Sequence, residues 1–395
     1  MTEAMMESAG GRRGGACACA ADRFAVVRRV ALAVSLAGVL LVAHSASPTE
    51  TPYAYISSLS TNRLFVVDVG ARVLVASVPV GLSPRGVAVH PRGTCVYVAN
   101  DRSGTLSVID TARNAVLASV PVGAGPDGVA VHPAGRFVYV TNRDSATVSV
   151  IDAETNESIS TVAVGERPRG IAVSASGDRV YVANSTGHSV SVIDAWRHRT
   201  VATIPVGPPM HPARTLHGVA VHPDGNPVYV AAAGAYATGA LLVIDATTRQ
   251  VVTVGLPAPA RGVAVDPDGS AVYVTSVAEV SFPGPAVVPS GVSFVSSATN
   301  RVRTFVPLSA SSWGVPTGIA VHRAGRLLYV TNEDNYSLYL VSLATSAVIR
   351  TVPLPSPSSG YGPFIDPRVP TPRSQPPDGL EGRPGSGARP SDGPC

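Results

Sequence analysis

Tyr97-Val-Ala-Asn100 returns as Tyr139-Val-Thr-Asn142 and again as Tyr181-Val-Ala-Asn184, each 42 residues after the last. Looser copies begin at Tyr55, Tyr229, Tyr273 and Tyr329. A repeat of about 40–45 residues carrying short alternating apolar runs marks a propeller blade of four strands. Seven copies therefore predict an all-β, seven-bladed β-propeller with four-stranded antiparallel blades. The copy from Pro84 to Gly123 shows the unit, with apolar runs at Arg85–His90, Cys95–Asn100, Thr105–Asp110 and Ala115–Val122. The breaks between them, His90-Pro-Arg-Gly93, Asn100–Gly104 and Asp110–Asn114, are short and rich in turn formers, so the strands meander.

A ring of blades protects its strand edges only if the first and last blades are joined. Tyr55 has no Gly-Val-Ala-Val strand before it, whereas Gly362-Pro-Phe-Ile-Asp-Pro367 lines up with Gly86–Pro91 and has no Tyr-Val copy after it. The expectation is that 361–367 becomes the innermost strand of the blade begun at 53–80.

All 30 basic residues are Arg; the absence of lysine excludes Schiff-base chemistry and a phosphate-loop lysine. Arg28-Arg29 precede the apolar run Val30–Ala43, which is short for a membrane span and fits the core of a signal peptide. Residues 1–46 are accordingly read as a signal peptide or an uncleaved anchor, 47–367 as the propeller, and 368–395 as a disordered Pro/Gly-rich tail. The expected location is periplasmic or extracellular, with membrane contact only through the N-terminal segment. The net charge of +4 is small, so the pI near 9.0 is no evidence for nucleic acid. Cys17 and Cys19 fall in the leader, Cys95 opens a strand and Cys395 ends the tail, so neither a disulfide framework nor a metal set is expected. No cofactor is expected either.

The pattern Pro-x-Gly-Val-Ala-Val-x-Pro-x-Gly, then Val-Tyr-Val-Thr-Asn, then Ser-Val-Ile-Asp resembles the YVTN-family β-propeller repeat over roughly 53–367. The resemblance implies the fold. Proteins similar to it include surface-layer proteins, YncE-like periplasmic propellers and, more distantly, lactonase propellers and the haem d1 domain of nitrite reductase, so no single activity follows.

The first hairpin is 11 residues from strand Gly to Tyr in each complete blade, whereas added length collects in Gly207–His217, Ala231–Ala240, Thr275–Gly291 and Leu308–Thr317. These loops emerge on one face, where binding usually resides. The same face carries, just before each inner-strand glycine, Arg85, Asp127, Arg169, His217, Arg261, Thr317 and Tyr361. Such a ring would hold a carboxylate or phosphate, Arg gripping it through paired hydrogen bonds. The alternative is that each Arg is a spacer paired with a neighbouring Asp or with Glu166. Tyr236, Phe282, Trp313 and Tyr336 fall in the variable loops and suit contact with a protein or glycan, or internal loop packing. His90, His132, His222 and His322 each open a His-Pro-x-Gly or related turn on the other face and are read as turn caps. Together these features point to an exported, monomeric, non-enzymatic binding propeller whose partner is a protein, a glycan or a small anionic ligand. The alternatives are a periplasmic lactonase- or lyase-like enzyme with Arg85, Arg169, Arg261 and His217 at the mouth, or a surface-layer structural component.

Overall fold

In a computed structural model, residues 30–35, 52–207, 215–234, 238–277, 279–280, 287–308, 315–322, 326–333 and 335–356 are described. They form seven four-stranded sheets and one two-stranded hairpin, Glu279–Val280 with Val287–Val288, and no helix among the described residues. Blade 2 is typical: Pro84–Val89, Cys95–Asn100, Thr105–Asp110 and Ala115–Pro121 pair antiparallel in sequence order. The inner strands of blades 3 to 7 are Pro126–Val131, Pro168–Val173, Thr215–Val221, Ala260–Val265 and Pro316–Val321, and they pack against one another around the channel.

The hydrophobic core lies between blades. Tyr97, Leu106 and Val108 of blade 2 pack on Val129, Val138 and Ile151 of blade 3, and an equivalent cluster fills each junction of neighbouring blades. The middle strands are buried on both faces, which explains their near-continuous Val, Ile and Tyr. The outer strands are exposed at most positions, as Ala115–Pro121 shows. Leu338, Leu340 and Tyr329 of blade 7 pack on Ala54, Ile56 and Phe65 of blade 1, so the core itself runs unbroken around the ring.

The inner strand of blade 1 differs from expectation. The segment 361–367 lies outside the described residues, and the inner position is held by Val30–Ser35, which pairs with Pro52–Ser58 in parallel. A parallel neighbour cannot be joined by a tight hairpin and needs a connection of about a dozen residues or more. Residues 36–51 supply that length. The expectation of no disulfide framework is corrected at one position: Cys95, buried at the start of its strand, is disulfide-bonded. Distance along the chain says nothing about which cysteines a closed ring brings together.

Candidate functional site

Each inner strand of blades 2 to 7 presents one side chain at the channel mouth immediately before a glycine, and the glycine is what lets the strands converge. A Cβ on Gly86, Gly128 or Gly170 would run into the carbonyl oxygen of Asp127, Arg169 or His217 on the next blade. Only a residue without a side chain tolerates that approach. The result is a cavity of about 170 Å³ lined by Arg85, Asp127, Arg169, His217, Arg261 and Thr317, six of the seven ring positions read from the repeat. Tyr361, the seventh, lies outside the described residues, as do Tyr236, Phe282 and Trp313. Tyr336 is described; it is half-buried and packs on the apolar cluster between blades 7 and 1.

A second ring, not recognised from the sequence, supports the first. The residue four after each repeat Tyr gives Leu59, Asp101, Arg143, Ser185, Ala233, Val277 and Glu333. Its backbone N–H donates to the carbonyl two residues before the ring residue, as in Asp101 to Ser83, Arg143 to Gly125, Ser185 to Arg167 and Glu333 to Val315. This fixes the height of the second ring against the first. Aligning the copies one residue past the conserved Asn would have exposed its charges.

The two rings divide the mouth electrically. On one side Arg85 Nε donates to Asp101 Oδ2 at 2.7 Å, and Arg143 reaches Asp101 at 3.2 Å, Asp144 at 3.0 Å and Asp127 only at 3.9 Å. Charge is balanced there by pairing. Asp127 is 4% exposed, and burial pushes its carboxyl up despite the opposing pull of Arg85, Arg169 and Arg143. Arg143 is held up as well, chiefly by its hydrogen bond to Asp144. It does little for the Asp127 carboxylate, because it is shared among three carboxylates and stands beyond hydrogen-bond reach of Asp127.

On the other side stands His217, 8% exposed, with Arg169 Nη1 3.4 Å from Nδ1 and Arg261 Nη1 3.1 Å from Nε2. Thr215 Oγ1 lies 2.9 Å from Nε2. Burial first, then the charges of Arg261 and Arg169, hold His217 well below the usual imidazole value, so it is neutral. A neutral imidazole accepts at only one nitrogen, and the other carries a proton. Two guanidinium groups thus face a ring that can satisfy one donor. Burial also pulls Arg169 down, the chief relief being Asp127. The alternative read from the sequence, that ring arginines pair with nearby acids, holds for Arg85 with Asp101; Glu166 has no part in the cavity, whereas Glu333 lines it. Chemically, the cationic side offers convergent donors for an oxygen anion beside a base without charge.

The remaining repeated polar residues build blades. Asn100 Nδ2 donates to Thr105 Oγ1 and Ser107 Oγ, and Asn142 and Asn184 repeat the arrangement. Asp110, Asp152 and Asp194 accept backbone N–H groups two and three residues on.

Residues 114–198 match the family model described as "Lactonase, 7-bladed beta-propeller". That is less than half of the chain. No curated protein matches it. Among solved structures it is similar to the Kuenenia stuttgartiensis hydrazine synthase, at 24% identity and a TM-score of 0.61, covering 69% of this chain and 86% of that one. It is also similar to the dihydro-heme d1 dehydrogenase NirN in complex with DHE, at 15% identity and a TM-score of 0.54, covering 79% and 74%. At these identities the likeness is one of fold. The chain is a seven-bladed β-propeller, similar through blades 2 to 4 to the lactonase propellers.

Proposed function

We propose that the channel mouth takes a small carboxylate- or ester-bearing molecule, with Arg169 and Arg261 on its oxygens and His217 as base, in a lactonase- or lyase-like reaction. The observation that carries this reading is the neutral His217 set between two guanidinium groups. An arriving oxygen anion accepts from both arginines and gives Arg169 Nε the acceptor it lacks. Its negative charge also opposes the cause of the depressed imidazole value, so the base strengthens as the ligand binds. In hydrolysis, His217 takes a proton from water as the water oxygen bonds to the carbonyl carbon and the arginines hold the oxyanion; the acyl C–O bond then breaks and the imidazolium returns its proton to the departing alkoxide. In elimination, it takes a proton beside the carbonyl, the same arginines hold the enolate, and the β-oxygen substituent departs with that proton as the double bond forms. The family match supports the reading in part, since 114–198 includes Asp127 and Arg169 but not His217 or Arg261.

A binding role without turnover is the second reading. It is favoured by how far His217 is depressed, because a base that weak accelerates little unless the ligand restores it. Calorimetry and hydrolysis assays on small lactones and carboxylates separate the two. Arg169→Ala is expected to weaken binding about tenfold or more, the loss of one charge-assisted hydrogen bond. His217→Asn is expected to abolish turnover and leave a bound ligand. Binding without turnover in the wild type selects the second reading, and no binding at all moves the search to the loops at Ala231–Ala240 and Thr275–Gly291. Export, supported by Arg28-Arg29 before Val30–Ala43, and membership of the YVTN type, supported by the spelling of the repeat, belong to the same proposal. Recovery of the intact N-terminus in a soluble cytoplasmic fraction would sink the export part.

A further inference from the structure

We infer that the molecule held at the mouth carries a hydroxyl close to its carboxylate, and that Asp127 is the residue that reads it. This rests on Arg169 and Arg261 being the anion ligands. Among the described residues, the buried cavity-lining atoms Asp127 Oδ2, Arg169 Nε and Thr317 Oγ1 make no hydrogen bond. Buried polar atoms in folded proteins are paired in roughly nine cases in ten, and an unpaired one is costly. Their sharing one cavity points to a partner that enters it.

The three atoms differ in kind, which narrows the partner. Arg169 Nε can only donate and the Asp127 carboxylate can only accept, while the threonine hydroxyl can do either. A bare anion would serve Arg169 but set a second negative charge against Asp127. A cation would serve Asp127 but meet Arg85, Arg143 and Arg169, the charges that act on that carboxylate. A carboxylate bearing a neutral O–H donor satisfies both atoms without either conflict. Asp101 is not a rival for this role. It already accepts from Arg85 at 2.7 Å and Arg143 at 3.2 Å, whereas Arg143 approaches Asp127 only to 3.9 Å. Neutralising the mouth is thus the work of Asp101, and the acceptor of Asp127 is left for a ligand. Asp127 and Arg169 stand on adjacent inner strands, so one short molecule reaches both.

The test is calorimetry on the full chain with butyrate, 2-hydroxybutyrate and 3-hydroxybutyrate as probes. One hydroxy acid is expected to bind roughly tenfold tighter than butyrate, the value of a hydrogen bond to a charged acceptor. Asp127→Leu, close in size and without an acceptor, is expected to remove that preference. Arg143 would keep Asp101 and Asp144 as partners, whereas Arg169 loses the charge that chiefly offsets its burial, so the preference is read as the ratio of hydroxy acid to butyrate within each protein. If the leucine variant does not fold, Asp127→Asn, which keeps one acceptor oxygen without the charge, is expected to retain only part of the preference. Equal binding of all three acids by the wild type overturns the inference while leaving the anion site standing, and means that a water serves Asp127. Binding of none of them fails the anion site itself, and the inference with it.

Discussion

His217 shows how a single repeat position acquires chemistry. In the sequence it is one of seven residues before an inner-strand glycine, and nothing local separates it from Arg85 or Thr317. In the folded ring, burial and two neighbouring guanidinium groups keep it neutral. That has a consequence for stability. An unfolded histidine titrates near 6.5. The folded His217 titrates well lower, so the unfolded chain binds the proton first as the pH falls. Its contribution is therefore complete above about pH 6.5 and is lost as the pH drops from there toward the folded value. His90, His198 and His322, each depressed mainly by burial, act with the same sign. Asp127 acts with the opposite sign: its raised value costs stability while it is charged, and acid relieves the cost. Thermal unfolding at pH 7.5 and pH 5.5 is expected to show a clear loss in the wild type and a smaller loss in His217→Asn. Equal losses in the two proteins would mean that the folded imidazole is not kept neutral.

Between blades, the repeated histidines do more than cap a turn. His90 Nε2 lies 3.1 Å from the carbonyl oxygen of Gly135, His132 Nε2 2.9 Å from that of Gly177, and His222 Nε2 3.1 Å from that of Gly269. In each, Nδ1 accepts the backbone N–H two residues on, which leaves Nε2 to donate across the junction. The turn glycine is required twice over: Gly135 has φ 79°, and a Cβ there would press on His90 Nε2. Where the histidine is replaced, the clasp is lost. Ser174 is too short to cross, and a Cβ added to Gly225 opposite meets nothing within 4 Å. Asp266 instead accepts from Tyr273 Oη at 2.6 Å within its own blade. His90→Ala is expected to cost about 1–3 kcal/mol in urea unfolding, since it strands a carbonyl oxygen as well as losing the bond. Ser174→His is expected to add about 0.5–1.5 kcal/mol by building the missing clasp. No change in either variant would return these residues to a purely local role.

For the whole molecule the open matter is which segment occupies the inner position of blade 1. Val30–Ser35 fills it, yet the same residues begin the apolar run expected to be removed on export. In a chain without them, Pro52–Ser58 would face the channel with an unpaired edge. The expectation from sequence gives that place to 361–367, which matches the inner strands of the other blades. A chain lacking 1–46 is therefore expected to melt close to the full protein, whereas one lacking both 1–46 and 360–395 is expected to melt well below it. If the double truncation melts with the single one, the unbroken core between blades 7 and 1 closes the ring without an inner strand.

The sequence by itself determined the number of blades, the order of strands in blades 2 to 7 and the identity of the described mouth residues. Each follows from a local rule: a period of about 42 residues, alternation along each strand, turn formers between strands, and a glycine after every ring position. Asn100, Asn142 and Asn184 were legible as structural for the same reason, because their partners lie five and seven residues away. Only the tertiary structure decided how the mouth is charged. Arg143 and Asp101 are 42 residues apart, Arg169 and His217 are 48 apart, and Arg261 and His217 are 44 apart. Which residues pair, and which are left with unspent donors or acceptors, depends on distances across the channel that no single repeat encodes. Burial, which sets the protonation of His217 and Asp127, is likewise a property of the closed ring.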